Sequence, residues 1–195
     1  MISIKNYTII IPCISHEDVK NCIKKIRETY KTIKIIVCLN YFNLKKNKDK
    51  NLKYILTKSK SIGEKRNIAV NACKSKYLAF IDSDAYPDKN WIESTFKLIK
   101  KKKVGIISGP HIDPLKQNNS EKIIGVIKKR HLITMRPKMQ KSNIEKQQFV
   151  SFLPSVNWIL SRKLFNSLKQ MDKKLLRNED WDFVYKMKKK KIKLL

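Results

Sequence analysis

The sequence predicts an α/β fold: a mainly parallel central sheet with helices on both faces, joined to an α+β half at the C-terminus. Three observations predict it. Short apolar runs of strand length, rich in Ile, Val and Tyr, occur at 7–12, 33–39, 52–57, 77–82 and 104–108. Segments with helical spacing of apolar residues separate most of these runs, and such alternation favours βαβ units over hairpins. With only four Gly and six Pro in 195 residues, the chain has no composition for a long flexible linker. The expectation is one domain spanning 1–195, with functional halves of about 1–110 and 111–195.

Each element has a local cause. Tyr7-Thr-Ile-Ile-Ile-Pro12 is an apolar strand ended by proline. Ser15, with Asp18 three residues on, opens a helix whose Val19, Cys22, Ile23, Ile26 and Tyr30 share one face. After the second strand, 41–51 is a lysine-rich loop. Ser61 and Glu64 form a second capping-box pattern, and Ile68, Ala69, Ala72 and Cys73 are the expected buried side of that helix. Asp88 is expected to cap a helix burying Trp91, Ile92, Phe96 and Ile99. Beyond Pro110 the pattern is weaker: an amphipathic helix over 121–134, a polar connection over 137–148, short strands at 149–153 and 157–160, and a short helix from Ser161. Asn178-Glu-Asp-Trp-Asp182 opens a last helix, where acidic residues suit the helix dipole.

Charge is the most unusual property. The formal net charge is +29, and six of the 45 basic residues are arginine. Lysines spread through nearly every segment fit a skewed genome better than a nucleic-acid reader, which leans on arginine forks and a recognisable binding module. Specific nucleic-acid recognition is therefore not expected, although so basic a chain attracts anions of every kind. Cys13, Cys22, Cys38 and Cys73 lack metal-ligand spacing and are expected as buried free thiols. No signal-peptide pattern or membrane-length apolar run is present, which points to a cytoplasmic protein. The lysine-rich end, 186–195, is compatible with peripheral contact at an anionic membrane face, the solvated alternative being the plainer one.

Against this background the acids are conspicuous. Six of 16 fall in two short stretches: Asp82, Asp84 and Asp88, and Glu179, Asp180 and Asp182. The first follows the apolar run Tyr77-Leu-Ala-Phe-Ile81, at the sheet edge where open α/β folds bind ligands. If extended geometry holds to Asp84, the period of two turns Asp82 and Asp84 the same way. Paired carboxylates then suit a hard divalent cation, the alternative being a solvated Asp-Pro turn. A carboxylate at the start of the last helix can serve as a general base, the alternative being a dipole-favoured helix start.

The order of these motifs resembles the family 2 glycosyltransferases of the GT-A fold: a strand ending in Ile11-Pro12, Gly63-x-x-Arg66-Asn67, Ala79-Phe-Ile-Asp-Ser-Asp84, Asn157-Trp-Ile-Leu-Ser161 and Asn178-Glu-Asp180. The resemblance spans about residues 7 to 190. It implies a GT-A-like domain with a donor-binding first half and an acceptor and base half after it. It further implies transfer, with inversion, from a nucleoside-diphosphate sugar, a UDP-sugar foremost, to a saccharide or lipid-linked acceptor in surface polysaccharide or glycolipid synthesis. The implied metal ligands are Asp84 and Asp82, holding Mn²⁺ or Mg²⁺. Pro12, Asn40, Arg66, Asp82 and Ser83 are the implied donor-binding residues, and Asp180 the catalytic base. Where the family carries Asp-Asp-Gly-Ser-like residues this chain has Leu39-Asn40-Tyr41-Phe42, so the nucleobase contacts differ. The alternative is a truncated, non-catalytic module that keeps the nucleotide-sugar pocket, the domain being short at its C-terminus by comparison with the family.

Overall fold

The computed structural model describes residues 2–42, 47–101, 104–112, 119–120, 123 and 149–195. Its centre is β1 (Tyr7–Pro12), buried along its whole length. β1 pairs in parallel with β2 (Lys34–Leu39) on one side and with β4 (Tyr77–Phe80) on the other. β3 (Leu52–Leu56) extends the sheet outward from β2, also in parallel. Beyond β4 the order departs from that of the sequence. β6 (Ile159–Ser161) lies antiparallel between β4 and β5 (Val104–Ile107), and β7 (Lys193–Leu194) closes the edge beside β5. The seven-stranded order is β3-β2-β1-β4-β6-β5-β7.

Strands covered on both faces read as nearly continuous apolar runs, which is why β1, β2 and β4 are so legible. On one face Ile9, Ile11, Ile35, Val37 and Ala79 form a core with Val19, Cys22 and Ile26 of α1 (His16–Thr29). Phe96 and Ile99 of α3 (Glu93–Lys101) pack against the same core. α2 (Ile62–Asn71) lies over β1 and β2. Phe80 meets Phe165 of α4 (Arg162–Ser167) edge-on at 5.5 Å, and Phe165 meets Phe183 of α5 (Glu179–Lys189) at 5.1 Å. All four cysteines are buried free thiols, as expected.

The chain divides into two compact units, Met1–Ser108 with Phe149–Leu195, and Gly109–Gln148. Residues 149–195 complete the first unit because β6 and β7 hydrogen-bond into its sheet. The helix expected over 121–134, apart from Ile123, and the connection over 137–148 lie outside the described residues.

Several local expectations are corrected. α3 starts at Glu93, not after Asp88: the Asp88 carboxylate accepts from the Lys89 amide, and left-handed Asn90 interrupts the chain before the helix. Ser61 caps α2 by accepting from the Glu64 amide at 3.3 Å, but its hydroxyl donates to the Leu175 carbonyl at 2.7 Å, and the capping box is not completed. The buried residues of α2 include Lys65, Arg66, Ala69 and Val70, whereas Ile68 is half-buried and Ala72 exposed. That helix turns two cations inward because polar partners wait for them there. Of the strand expected at 149–153, a single bridge between Val150 and Leu194 is formed.

Candidate active site

Parallel pairing brings the carboxyl ends of β1, β2 and β4 to one edge of the sheet, with Pro12, Asn40 and Asp82 just at or beyond them. β4 stops at Phe80. The amides of Ile81 and Asp82 still reach the Ile10 and Val156 carbonyls, and the chain then turns, the Ala85 amide donating to the Asp82 carbonyl at 3.1 Å. Strand alternation therefore does not orient Asp82 and Asp84; a turn does, as Asp and Ser favour. Asp84 is exposed at the turn, Ser83 is half-buried, and the Asp82 side chain keeps 35% of its surface.

The second acidic stretch joins the first through Arg66. This side chain is 1% exposed, its Nη2 donating to Asp82 Oδ1 at 2.8 Å and its Nη1 to Glu179 Oε1 at 2.9 Å. Nη2 also reaches the Ser155 carbonyl at 3.2 Å, and the guanidinium lies 5.5 Å from the Phe80 ring centroid. Arg66 is thus neither a solvated helix residue nor an open arm; it is committed to two carboxylates. The buried Glu179 packs on α2 at Gly63, where an added Cβ would come within 3.1 Å of Glu179 Cβ and Cγ.

Asp180, the next residue, is half-buried. Its Oδ1 accepts from the Trp181 amide at 2.9 Å and its Oδ2 from the Ser155 amide at 3.4 Å. Asn178, the residue before α5, adopts left-handed φ 63°, ψ 21°. Burial raises the pKa of Asp82; Arg66 opposes the rise, and Asp84, Glu179 and Asp180 add to it. The two acidic stretches therefore act on a common point, with one guanidinium between them.

Asn40 is held by neighbouring main chain and by Lys65. Its Nδ2 donates to the Thr57 and Ser59 carbonyls at 2.8 and 2.9 Å, and its Oδ1 accepts from Lys65 Nζ at 2.7 Å. Lys65 Nζ also donates to the Cys13 carbonyl at 2.7 Å. The pair ties together the ends of β1, β2 and β3, leaving Asn40 little beyond one lone pair for a ligand. Burial holds the Lys65 ammonium below its ordinary pKa. Burial also raises the nearby Cys13 and Cys22 thiols to about 12, which leaves them poor nucleophiles.

The donor set fits a hard divalent cation in an open site. Asp84 is exposed, and Asp82 offers the carboxylate oxygen that Arg66 does not occupy. Among the described residues no group of three or more His, Cys, Asp or Glu closes into a cage. Mg²⁺-type sites often have one or two carboxylates, the rest coming from phosphate and water.

Sequence reasoning named Asp82, Asp84, Arg66, Asp180 and Asn40, all placed at or near this edge, but missed Lys65 and the part Glu179 plays. Nothing marks Lys65 among so many lysines. Glu179 could have been found as the acid paired with a cation buried far away in sequence, which no local pattern reveals.

A mixed sheet with acids at its carboxyl edge and helices on both faces is the GT-A architecture, and solved structures bear this out. The chain superposes on S. aureus TarS 1–349 with a TM-score of 0.67 at 14% identity, covering 97% of this chain and 57% of that one. It superposes on GalNAc-T7 with UDP, GalNAc and Mn²⁺ with a TM-score of 0.67 at 13% identity, covering 96% and 41%. A mannosyltransferase from Pyrobaculum calidifontis with GDP-Man and Mn²⁺ gives a TM-score of 0.61 at 13% identity, covering 94% and 51%. The chain thus spans about half the length of these structures. No curated protein sequence matches significantly. The profile described as glycosyl transferase family 2 matches residues 8–169, and the chain belongs to that family. The matched segment contains Arg66, Asp82 and Asp84, while Asp180 lies beyond it.

Proposed function

We propose that the chain carries a metal-dependent, inverting glycosyltransferase activity that moves a sugar from a nucleoside-diphosphate sugar to an acceptor hydroxyl. The observation that carries this reading is Arg66 bridging Asp82 and Glu179, the residue before Asp180. Family membership supports transferase chemistry. S. aureus TarS 1–349 in complex with UDP-GlcNAc supports a UDP-sugar as donor, and GalNAc-T7 with Mn²⁺ supports a divalent ion.

In this reading Asp84 and Asp82 hold Mn²⁺ or Mg²⁺, which when bound offsets charge on the leaving diphosphate. Pro12 and Ser83 border the donor. Arg66 acts through Asp82, opposing the rise in its pKa that burial causes. Asp180 takes the proton of the acceptor hydroxyl as that oxygen bonds to the anomeric carbon, and the bond from that carbon to the diphosphate oxygen breaks on the opposite face. Amides of Ser155 and Trp181 fix the Asp180 carboxylate for that transfer. The acceptor is a saccharide or lipid-linked saccharide, and the setting is the cytoplasmic side of a membrane whose anionic face attracts the basic chain. Among the described residues no helix is long and apolar enough to cross a membrane.

The test is a thermal-shift screen of UDP- and GDP-sugars with and without Mn²⁺, followed by transfer assays. A bound donor raises Tm by mass action. Asp84→Ala is expected to abolish transfer with an unchanged circular dichroism spectrum. Asp180→Asn is expected to stop transfer, on the order of 10²-fold or more, while donor affinity by calorimetry changes little. Unchanged turnover in Asp84→Ala removes the metal role. Tight donor binding with neither transfer nor hydrolysis identifies a nucleotide-sugar-binding module instead.

A further inference from the structure

The residue after Asp180 has no role in the scheme above, yet it carries a distinctive arrangement. Trp181 is 46% exposed, and its indole stacks on the Phe152 ring with centroids 3.9 Å apart and planes 14° from parallel. Both partners are tied to the proposed base. The Trp181 amide donates to Asp180 Oδ1, and Phe152 lies three residues before Ser155, whose amide donates to Asp180 Oδ2. One face of the indole is backed by Phe152, so its exposed surface is the face and edge turned away. Tyr185, one turn further along α5, is also exposed, but Lys189 Nζ sits 4.6 Å from its ring centroid. On this helix Trp181 is the aromatic ring that is both braced and open.

We propose that Trp181, braced by Phe152, is the platform on which a pyranose ring of the acceptor stacks to present its hydroxyl to Asp180. This inference rests on the transferase reading and deepens it by naming the residue that receives the acceptor ring. A pyranose with several equatorial hydroxyls has an apolar C–H face and a polar rim. An aromatic plane takes the face, and carboxylates at its border accept from the rim hydroxyls. The carboxylate tied to Trp181 is Asp180, whose Oδ1 accepts from the Trp181 amide at 2.9 Å. A carboxylate beside the ring disfavours an anionic lipid headgroup at this spot, since like charges repel, and favours a neutral polyol. Stacking also fixes the plane of the ring relative to Asp180, so that hydroxyl and base approach in one orientation.

The experiment uses the full chain with UDP and Mn²⁺ and, as probes, the methyl β-pyranosides of glucose, galactose and N-acetylglucosamine. Saturation-transfer NMR is expected to show contact strongest at the C–H protons of one ring face for at least one probe. Trp181→Ala is expected to weaken that probe about tenfold, Trp181→Phe to restore most of the loss, and Phe152→Leu to lose part of it. In transfer assays with the same glycoside as acceptor, Trp181→Ala should raise KM about tenfold and alter kcat less. Wild-type affinity and KM in Trp181→Ala overturn the proposal, as does saturation of none of the three glycosides in the wild-type chain. Loss of binding to vesicles of phosphatidylcholine and phosphatidylglycerol in Trp181→Ala, with glycoside contact unchanged, makes the ring a membrane contact and also overturns it. Pyranoside contact without donor binding sinks the transferase reading and leaves the platform; donor binding without pyranoside contact does the reverse.

Discussion

Arg66 is the residue on which the two acidic stretches depend. A guanidinium at 1% exposure has lost nearly all its water, and Asp82 and Glu179 replace that water with charge-assisted hydrogen bonds. Such a network adds little net stability when complete, but removing the central cation leaves the buried Glu179 and the partly buried Asp82 without their counter-charge. Arg66→Ala is therefore expected to destabilise the fold by about 3–5 kcal/mol, measured as a fall in the urea midpoint. A loss below about 1 kcal/mol would mean that water already screens the pair.

His16 offers a second test at this scale. Burial and then Lys20 hold its imidazole below the ordinary pKa, with Glu17 opposing, and its ring meets Tyr54 at 5.6 Å and Phe42 at 5.7 Å. The unfolded chain then binds a proton at a pH where the folded chain does not. His16 therefore lowers stability as pH falls through about 6.5, and its effect levels off below the folded pKa. Urea midpoints for His16→Asn are expected to fall less between pH 7.5 and 5.5 than those of the wild-type chain.

At the scale of elements, the start of α5 decides where the proposed base stands. Asn178 enters the helix in the left-handed region with no side-chain cap bond, so its contribution is backbone conformation and not capping. Asn tolerates that region and Gly prefers it, whereas a β-branched side chain clashes there. Asn178→Gly should leave the thermal midpoint nearly unchanged. Asn178→Val should lower stability by about 1–2 kcal/mol and reduce transfer, because Asp180 follows two residues later. Equal midpoints for the two variants would show that the turn is not strained. α2 holds the other side of this join through Gly63, whose missing side chain lets Glu179 approach.

For the whole molecule, the charge of +29 is set against one acidic edge. The lysines give a long-range attraction for anions, which under the proposed function include the nucleotide-sugar donor. Binding to duplex DNA is expected, without sequence preference, and should weaken steeply as salt rises from 50 to 200 mM. A sequence-dependent affinity that survives high salt would contradict the assignment of the charge to general attraction. Nucleotide-sugar binding, held by short-range contacts, should weaken far less over that range.

Apolar periodicity, caps and turn residues act over a few positions, so most strands and helices could be read along the chain, while β7 and the start of α3 could not. β1, β2, α1 and the start of α2 were legible for that reason. The tertiary structure decided what depends on contacts distant in sequence. It placed β6 between β4 and β5, turned Lys65 and Arg66 inward, occupied Asn40 with Lys65, and set Phe152 against Trp181. A lysine that closes a buried hydrogen-bond network and one that faces solvent look the same along the chain. The difference lies in partners dozens of residues away, and only folding brings them within reach.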